Sequence, residues 1–232
     1  NVGTETTVSI IGPASAAMLA AVKPTLGRIS RWGVIPVTYD QDTAGPMTRT
    51  VTDAAILLGV LEGTAPDPND PATGRCTPPP GNDYTPFLNT EGLKGARIGV
   101  PRAWFIDPHT LPGGEAPSGG LPDDQQAMMD EVVAILRAEG ATIVDPADIP
   151  STLAKTREDN LLFTRSCVIR GPGVRGDDSL CSVVLEYGFK RDFTNWVASL
   201  DATAPVQSLT ELREWNVANS TLGTIKYGQL TL

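Results

Sequence analysis

The sequence predicts an α/β fold, and three segments in the middle of the chain carry that prediction. Residues 97–100 and 141–144 are short apolar runs typical of buried strands. Between them, residues 123–139 have the apolar spacing of an amphipathic helix that ends before Gly140. A strand, a helix and a second strand in this order predict two parallel strands with a right-handed crossover. The apolar stripe of this helix is predicted to be Met128, Val132, Ile135 and Leu136.

The first third of the chain predicts two helices and one strand. Residues 14–22 form a short helix, and residues 28–36 form a strand followed by a turn. The helix over residues 50–63 begins with Thr50 as its cap and ends at Gly63, which accommodates a left-handed conformation. Its buried stripe is predicted to consist of Ala54, Leu57, Leu58 and Leu61.

The last third of the chain is predicted to be mainly helical. Helical patterns cover residues 149–163, 182–200 and 208–220, and Ser208 caps the last of them. We predict one domain over residues 1–232. We expect that domain to be partial, because residue 1 is Asn rather than Met and the final residues are apolar.

The composition narrows the class of protein. The net charge of -9 argues against a nucleic-acid or anionic-membrane partner, since both need a basic surface. No apolar run reaches the ~18–20 residues that span a bilayer. Neither observation identifies a compartment, and both a cytoplasmic and a secreted location stay open.

The cysteines and the histidine exclude several kinds of site. Cys167 and Cys181 flank a glycine-rich loop and are either a disulfide or two thiols, whereas Cys76 has no partner. No Cys/His cluster has the spacing of metal ligands, so no metal is expected. The chain has a single histidine, His109, in a loop rich in Pro and Gly. A histidine-based triad is therefore not expected near Ser9.

Two sequence runs near the N-terminus resemble the amidase signature family of serine hydrolases. The first is Gly3-Thr4-Glu5-Thr6-Thr7-Val8-Ser9-Ile10. The second begins at Lys23-Pro24-Thr25, continues through Ser30-Arg31-x-Gly33, and ends with Asp42-Thr43-x-Gly45-Pro46-Met47-x-Arg49. Further likeness in the same order covers most of the chain. The resemblance implies a large α/β sandwich around a mixed β-sheet, of which this chain is the middle.

The resemblance implies a Ser–cis-Ser–Lys triad with Ser9 as the nucleophile that accepts the acyl group. The bridging serine and the lysine lie upstream in the family, so neither belongs to this chain. The backbone N–H groups of Thr6, Thr7, Val8 and Ser9 would bind the oxyanion, and the following helix start would favour negative charge. The implied substrate is a small-molecule or peptide amide, with no cofactor; the oligomeric state stays undetermined.

The sequence departs from the family pattern at Thr7-Val8, where glycine is usual. β-Branched residues there would strain a turn that needs positive φ, or narrow the oxyanion hole. Asp42 and Thr43 are expected to support the site, with Gly45 allowing a tight turn, and Arg49 to pair with a buried carboxylate such as Asp42. Four aromatic residues could line an apolar acyl pocket or be ordinary core residues: Trp104, Phe105, Phe163 and Trp196.

Three functions follow from these observations. The leading one is hydrolysis of an amide C–N bond through an acyl-enzyme on Ser9. The second is a catalytically silent amidase-like binding protein, which the Thr7-Val8 departure favours. The third is a subunit of a glutamine-dependent amidotransferase, which would carry much the same signature.

Overall fold

A computed structural model describes residues 1–157, 159–163 and 183–223. Its contacts divide the chain into two compact units. The first contains Asn1–Leu88 and, among the later described residues, 183–223; the second contains residues 89–157 and 159–163. Strands and helices occur in both units, which confirms the predicted α/β class. Cys167 and Cys181 lie outside the described residues.

The first unit is built on a three-stranded antiparallel sheet. The strands β1 (Val2–Glu5) and β2 (Ala20–Ala21) both pair with the central strand β3 (Thr43–Thr48). The prediction of a tight turn at Gly45 is wrong, because Gly45 lies inside β3. A Cβ atom there would come within 2.2 Å of the Val22 carbonyl oxygen, so the close approach of two chain segments requires glycine.

One helix follows β1 and a second follows β3. α1 (Ile11–Ala16) is shorter than the predicted helix and starts earlier, because residues 20–21 pair with β3 and leave the helix. α2 (Val51–Glu62) agrees with its prediction. The Thr50 hydroxyl accepts the Asp53 N–H at 3.0 Å, and Gly63 has a φ of 75°. The predicted stripe is buried or half-buried and includes Ala54, Leu57, Leu58 and Leu61.

The first unit also contains two later helices, α4 (Val183–Ser199) and α5 (Leu209–Ala218). Both agree with their predicted positions. In α5 the Ser208 hydroxyl accepts the Glu211 N–H at 3.1 Å, as the capping pattern predicts. In α4, Phe193 and Val197 are buried. Residues 28–36 were predicted to be a strand followed by a turn; the turn is present at residues 32–33, and the strand is not.

The second unit contains the predicted strand–helix–strand arrangement. β4 (Arg97–Gly99) and β5 (Thr142–Val144) pair in parallel, and α3 (Asp123–Ala138) connects them. A cluster of apolar side chains packs between helix and strands: Val100, Ile106, Leu121, Met129, Val133 and Ile143. Residues 149–163 were predicted to be helical, and the described part of this range forms two short 3-10 turns, at Pro150–Thr152 and Leu161–Phe163.

The buried face of α3 differs from the predicted one. Val133 is buried and Met129 partly buried, whereas Met128, Val132 and Ile135 are exposed. α3 carries apolar residues on two neighbouring faces, and their spacing in the sequence does not tell which face packs against the strands. Among the described residues, no helix combines the length and the apolar character that crossing a bilayer requires.

Candidate active site at Ser9

Ser9 lies in the turn that joins β1 to α1. Its side chain is exposed, and its hydroxyl makes no hydrogen bond to any residue in the described part of the chain. β1 ends at Glu5 and α1 begins at Ile11, so five residues form the whole connection. The structure therefore presents Ser9 at the surface of the first unit, on a short segment held at both ends.

The buried carboxylate of Glu5 holds the C-terminal end of the Ser9 turn. Its carboxylate is buried, with the residue only 2% exposed, and Oε2 accepts the N–H groups of Ile10 at 2.8 Å and Ile11 at 2.9 Å. The first N–H groups of α1 are therefore already occupied by a carboxylate. α1 also has only six residues. The start of α1 does bind a negative charge, but that charge is the Glu5 carboxylate, so these two N–H groups are not available to a substrate oxyanion.

Free backbone N–H groups lie just before Ile10 in the chain. The backbone N–H groups of Thr7, Val8 and Ser9 have no acceptor among the described residues. None of these three residues has a positive φ, so the β-branched side chains of Thr7 and Val8 fit the turn without backbone strain. Val8 is 59% exposed and its side chain points away from the core. The predicted strain at Thr7-Val8 is absent from this turn.

Asp42 supports the turn from the side. It is 4% exposed, and Oδ1 accepts the Thr6 hydroxyl at 2.6 Å. Its Oδ2 accepts the N–H groups of Val37 and Thr38, each at 2.9 Å. Burial raises the pKa of Asp42 above its ordinary value in spite of these hydrogen bonds. Asp42 therefore ties the residue that follows β1 to the segment that precedes β3.

The other two predicted support residues, Thr43 and Arg49, differ in burial. Thr43 is buried and lies opposite Glu5 in the sheet, within the strand that backs the Ser9 turn. Arg49 is exposed, and the expected pairing with Asp42 is wrong. The physical reason is that Asp42 is bound by one hydroxyl and two backbone N–H groups in the interior, which leaves a surface arginine no access to it.

α4 clamps the loop that carries Asp42. Asp192 is buried, and its Oδ2 accepts the Tyr39 N–H at 2.7 Å. Arg191 bonds both Asp192 and the Asp40 carboxylate, the latter at 2.9 Å. The contacts with Tyr39 and Asp40 join residues 153 and 151 positions apart, and no local pattern in the sequence predicts them. The sequence offers one signal for a buried role of Asp192, which is its position beside Phe193 on the apolar side of α4.

A buried ion pair holds the same loop from another direction. Arg31 and Asp70 are both buried, and two Arg31 nitrogens bond the Asp70 carboxylate at 2.6 and 2.8 Å. A third nitrogen donates to the Tyr39 carbonyl oxygen, and the guanidinium lies 5.1 Å from the centre of the Tyr39 ring. Arg31 belongs to the second motif of the sequence, and this pairing is its structural role.

A cavity of about 450 Å³ opens beside the Ser9 turn. It is lined by Thr6, Thr7, Lys23, Leu26, Asp40 and Gln41. Among the described side chains, Trp104, Phe105 and Trp196, which were predicted to line an acyl pocket, do not line it. Trp196 packs against Phe193 on α4, and Trp104 makes an edge contact with Phe105 in the second unit. Of Thr6, Thr7 and Val8, predicted to bind the substrate, the first two line this cavity.

The described residues offer no cluster of three or more His, Cys, Asp or Glu side chains able to hold a metal. His109 lies in the second unit and its backbone pairs with Ser118, as part of a loop. Lys23 is exposed at the edge of the cavity. At the Ser9 turn, the described residues supply a serine hydroxyl and adjacent backbone N–H donors.

Comparison with known proteins identifies the family. The amidase family model matches residues 1–166. Because this match covers well over half of the chain, the chain belongs to the amidase family.

Two curated relatives show how the chain relates to complete proteins. A glutamyl-tRNA(Gln) amidotransferase subunit of Trichlorobacter lovleyi is 43% identical over 150 residues, which is 65% of this chain and 27% of that protein. A probable amidase of Arabidopsis thaliana is 32% identical over 217 residues, 93% of this chain and 34% of that protein. The chain thus spans about a quarter to a third of the length of these relatives.

Solved structures confirm the fold. An amidase family protein from Bacillus anthracis matches 99% of this chain and 37% of its own, with 30% identity and a TM-score of 0.70. The peptide amidase from Stenotrophomonas maltophilia matches 95% of this chain and 37% of its own, with 31% identity and a TM-score of 0.65. The predicted amidase-type α/β fold is therefore correct.

Proposed function

We propose that this chain carries the nucleophile of an enzyme that hydrolyses amide C–N bonds, and that Ser9 is that nucleophile. The observation that carries the proposal is the Ser9 turn itself. It combines an exposed serine hydroxyl with the free backbone N–H groups of Thr7, Val8 and Ser9. Membership of the amidase family and the likeness to a peptide amidase support the same reaction class.

The reaction would follow the steps of acyl transfer. The Ser9 oxygen attacks the amide carbonyl carbon, and the carbonyl oxygen becomes an oxyanion held by the backbone N–H groups. The proton of the Ser9 hydroxyl passes through a bridging serine to a neutral lysine, both outside this chain, and then to the leaving nitrogen. The C–N bond breaks, and water hydrolyses the resulting ester of Ser9 to release the acid.

The support around the turn explains how it could stay ready for this reaction. Glu5 holds the chain just after Ser9, and Asp42 holds Thr6 just before it. Donors that are fixed before the substrate arrives cost no reorganisation when negative charge develops. We propose Asp42 and Thr43 as structural supports, and Thr6, Thr7 and Val8 as the residues that contact the substrate carbonyl. Arg49 is exposed in the described structure, and its role as a support residue stays a prediction.

A second candidate function is that of one subunit in a glutamine-dependent amidotransferase. The relatives named as subunits of glutamyl-tRNA(Gln) amidotransferase favour it, with 43% identity over 150 residues in one case. Such a protein would release ammonia from glutamine and pass it to a partner. It would use the same Ser9 chemistry and differ in substrate and partner.

One experiment separates these functions from a silent binding protein. The full-length protein that contains these residues is incubated with a phosphonylating serine probe, and the adduct is located by peptide mass mapping. Ser9→Ala is the test variant. Ser15→Ala, an exposed serine on α1, is the matched control.

Each outcome decides between the candidates. Labelling of Ser9, lost in Ser9→Ala and kept in Ser15→Ala, with release of ammonia from peptide amides, supports the hydrolase. Ammonia release from glutamine that depends on ATP and an aminoacylated tRNA supports the amidotransferase. Absence of any adduct on Ser9 in the full-length protein refutes both and leaves the silent binding protein.

A further inference from the structure

The side chain of Val8 is an apolar group at the protein surface, directly before Ser9 in the chain. Val8 is 59% exposed. Its carbonyl oxygen accepts the Gly12 N–H at 2.8 Å, which ties the residue to the first turn of α1. A Cβ atom at Gly12 would lie 3.1 Å from Val8 Cγ2, so this methyl group packs against the helix. Val8 is thus anchored to α1 while the residue as a whole stays mostly exposed.

The methyl groups of Val8 have a fixed position on the turn. Rotation of a β-branched side chain about χ1 is restricted, and the contact of Cγ2 with α1 restricts it further. The backbone on either side is held as well, because the Thr6 hydroxyl donates to Asp42 at 2.6 Å and the Ile10 N–H donates to Glu5 at 2.8 Å. The bulk of Val8 is therefore a rigid feature that an approaching molecule has to fit around.

The same residue offers a backbone N–H to the substrate in the proposed reaction. The Val8 N–H has no acceptor among the described residues. An oxygen bound to it would lie about 2.9 Å from the nitrogen, and the Val8 Cβ, two bonds from that nitrogen, lies about 2.5 Å from it. The substrate carbonyl oxygen and the Val8 Cβ would then be at most about 5.4 Å apart, because the two distances share one nitrogen atom.

We infer that Val8 is a specificity residue that favours acyl groups without a branch next to the scissile carbonyl, an inference that rests on the proposed function. At a separation of this size, a branch on the atom next to the carbonyl carbon competes with the Val8 methyl groups for space, whereas a straight chain turns away from them. A single exposed valine ordinarily has no such consequence. Val8 differs because its methyl groups and a free N–H donor belong to one residue beside Ser9.

The test uses two isomeric phosphonate probes, with an n-propyl or an isopropyl group on phosphorus and the same p-nitrophenyl leaving group. Phosphorus takes the place of the carbonyl carbon, so the isopropyl probe carries the branch next to it. The rate of Ser9 labelling is measured in the full-length protein for each probe. Val8→Ala removes both methyl groups and Val8→Thr keeps the branched shape, while Val60→Ala, at an exposed position on α2, is the matched control. Val8→Ala is expected to lower the ratio of the n-propyl rate to the isopropyl rate by roughly 10-fold.

The outcomes distinguish this inference from the proposed function. A rate ratio that falls in Val8→Ala, and stays near the wild-type value in Val8→Thr and Val60→Ala, supports the inference. A ratio that stays constant in Val8→Ala, with Ser9 still labelled, overturns it and leaves the hydrolase standing, even if both rates fall together. A ratio that falls equally in Val8→Thr also overturns it, because the branched shape is then not what selects. A wild-type protein in which neither probe labels Ser9 refutes the hydrolase and this inference together.

Discussion

Replacing Glu5 tests whether a buried carboxylate holds the Ser9 turn. Glu5→Ala leaves two backbone N–H groups without their acceptor. Ile10 is fully buried, and its unpaired N–H costs about 1–3 kcal/mol; the Ile11 N–H is partly exposed and recovers water, at a smaller cost. We therefore expect Glu5→Ala to lower the free energy of unfolding by about 2–4 kcal/mol. Glu5→Gln keeps a neutral acceptor and should cost about 1–3 kcal/mol.

The assay is urea unfolding of the full-length protein, together with the rate at which the phosphonate probe labels Ser9. Glu214→Gln, an exposed carboxylate on α5, controls for the loss of one negative charge. Both Glu5 variants should unfold at lower urea and label Ser9 more slowly, with Glu5→Ala the more affected. If both stay within about 0.5 kcal/mol of the wild type, the range of ordinary surface substitutions, the carboxylate does not anchor the turn.

Two further predictions concern stability. Burial and a hydrogen bond to Glu62 raise the pKa of Tyr84 from 10.0 to about 12. The protonated phenol therefore stabilises the fold below pH 10, and this stabilisation is lost as the pH rises through about 12. In Tyr84→Phe, the free energy of unfolding should fall less steeply between pH 10 and pH 12 than in the wild type. Gly188→Ala would bring a methyl group within 2.3 Å of the Thr38 hydroxyl oxygen. Thermal unfolding of Gly188→Ala should show a free energy of unfolding lower by about 1–3 kcal/mol. Gly74→Ala is the control, because a methyl group there would meet open space. A difference of less than about 0.5 kcal/mol between the two variants would contradict the close packing of α4 on the Thr38 loop.

The elements that the sequence predicted well carry local signals. α2 and α5 have a side-chain cap three residues before an acidic residue, and the caps form where the pattern places them. The parallel pair β4–β5 follows from two apolar runs on either side of a long helix. The missed elements are short strands. β1, β2 and β3 hold two to six residues each. β1 and β3 contain glycine, and β3 also contains proline. The strands exist because β1 and β2 each pair with β3, to which β1 is joined by partners such as Glu5 and Thr43 and β2 by Ala20 and Thr48.

The site divides in the same way. Ser9 is exposed on a turn, in agreement with the motif that marked it, and its catalytic role stays a prediction. The contact between Asp192 and Tyr39 could not be predicted, because the fold brings together residues 153 positions apart. Arg49 was placed wrongly for the same reason. A sequence shows that an arginine and an aspartate share a motif, and only the fold shows which of them is buried.

Three buried carboxylates of the first unit, those of Glu5, Asp42 and Asp192, have one function in common, which is to bind backbone N–H groups around the Ser9 turn and the cavity. Glu5 takes two, Asp42 takes two and Asp192 takes one. A backbone N–H held by a carboxylate is no longer available to a substrate, and the segment that bears it is fixed. The donors left over are those of Thr7, Val8 and Ser9, which lie between the segments that Asp42 and Glu5 hold. This turn accommodates the β-branched residues Thr7 and Val8, because neither of them has a positive φ.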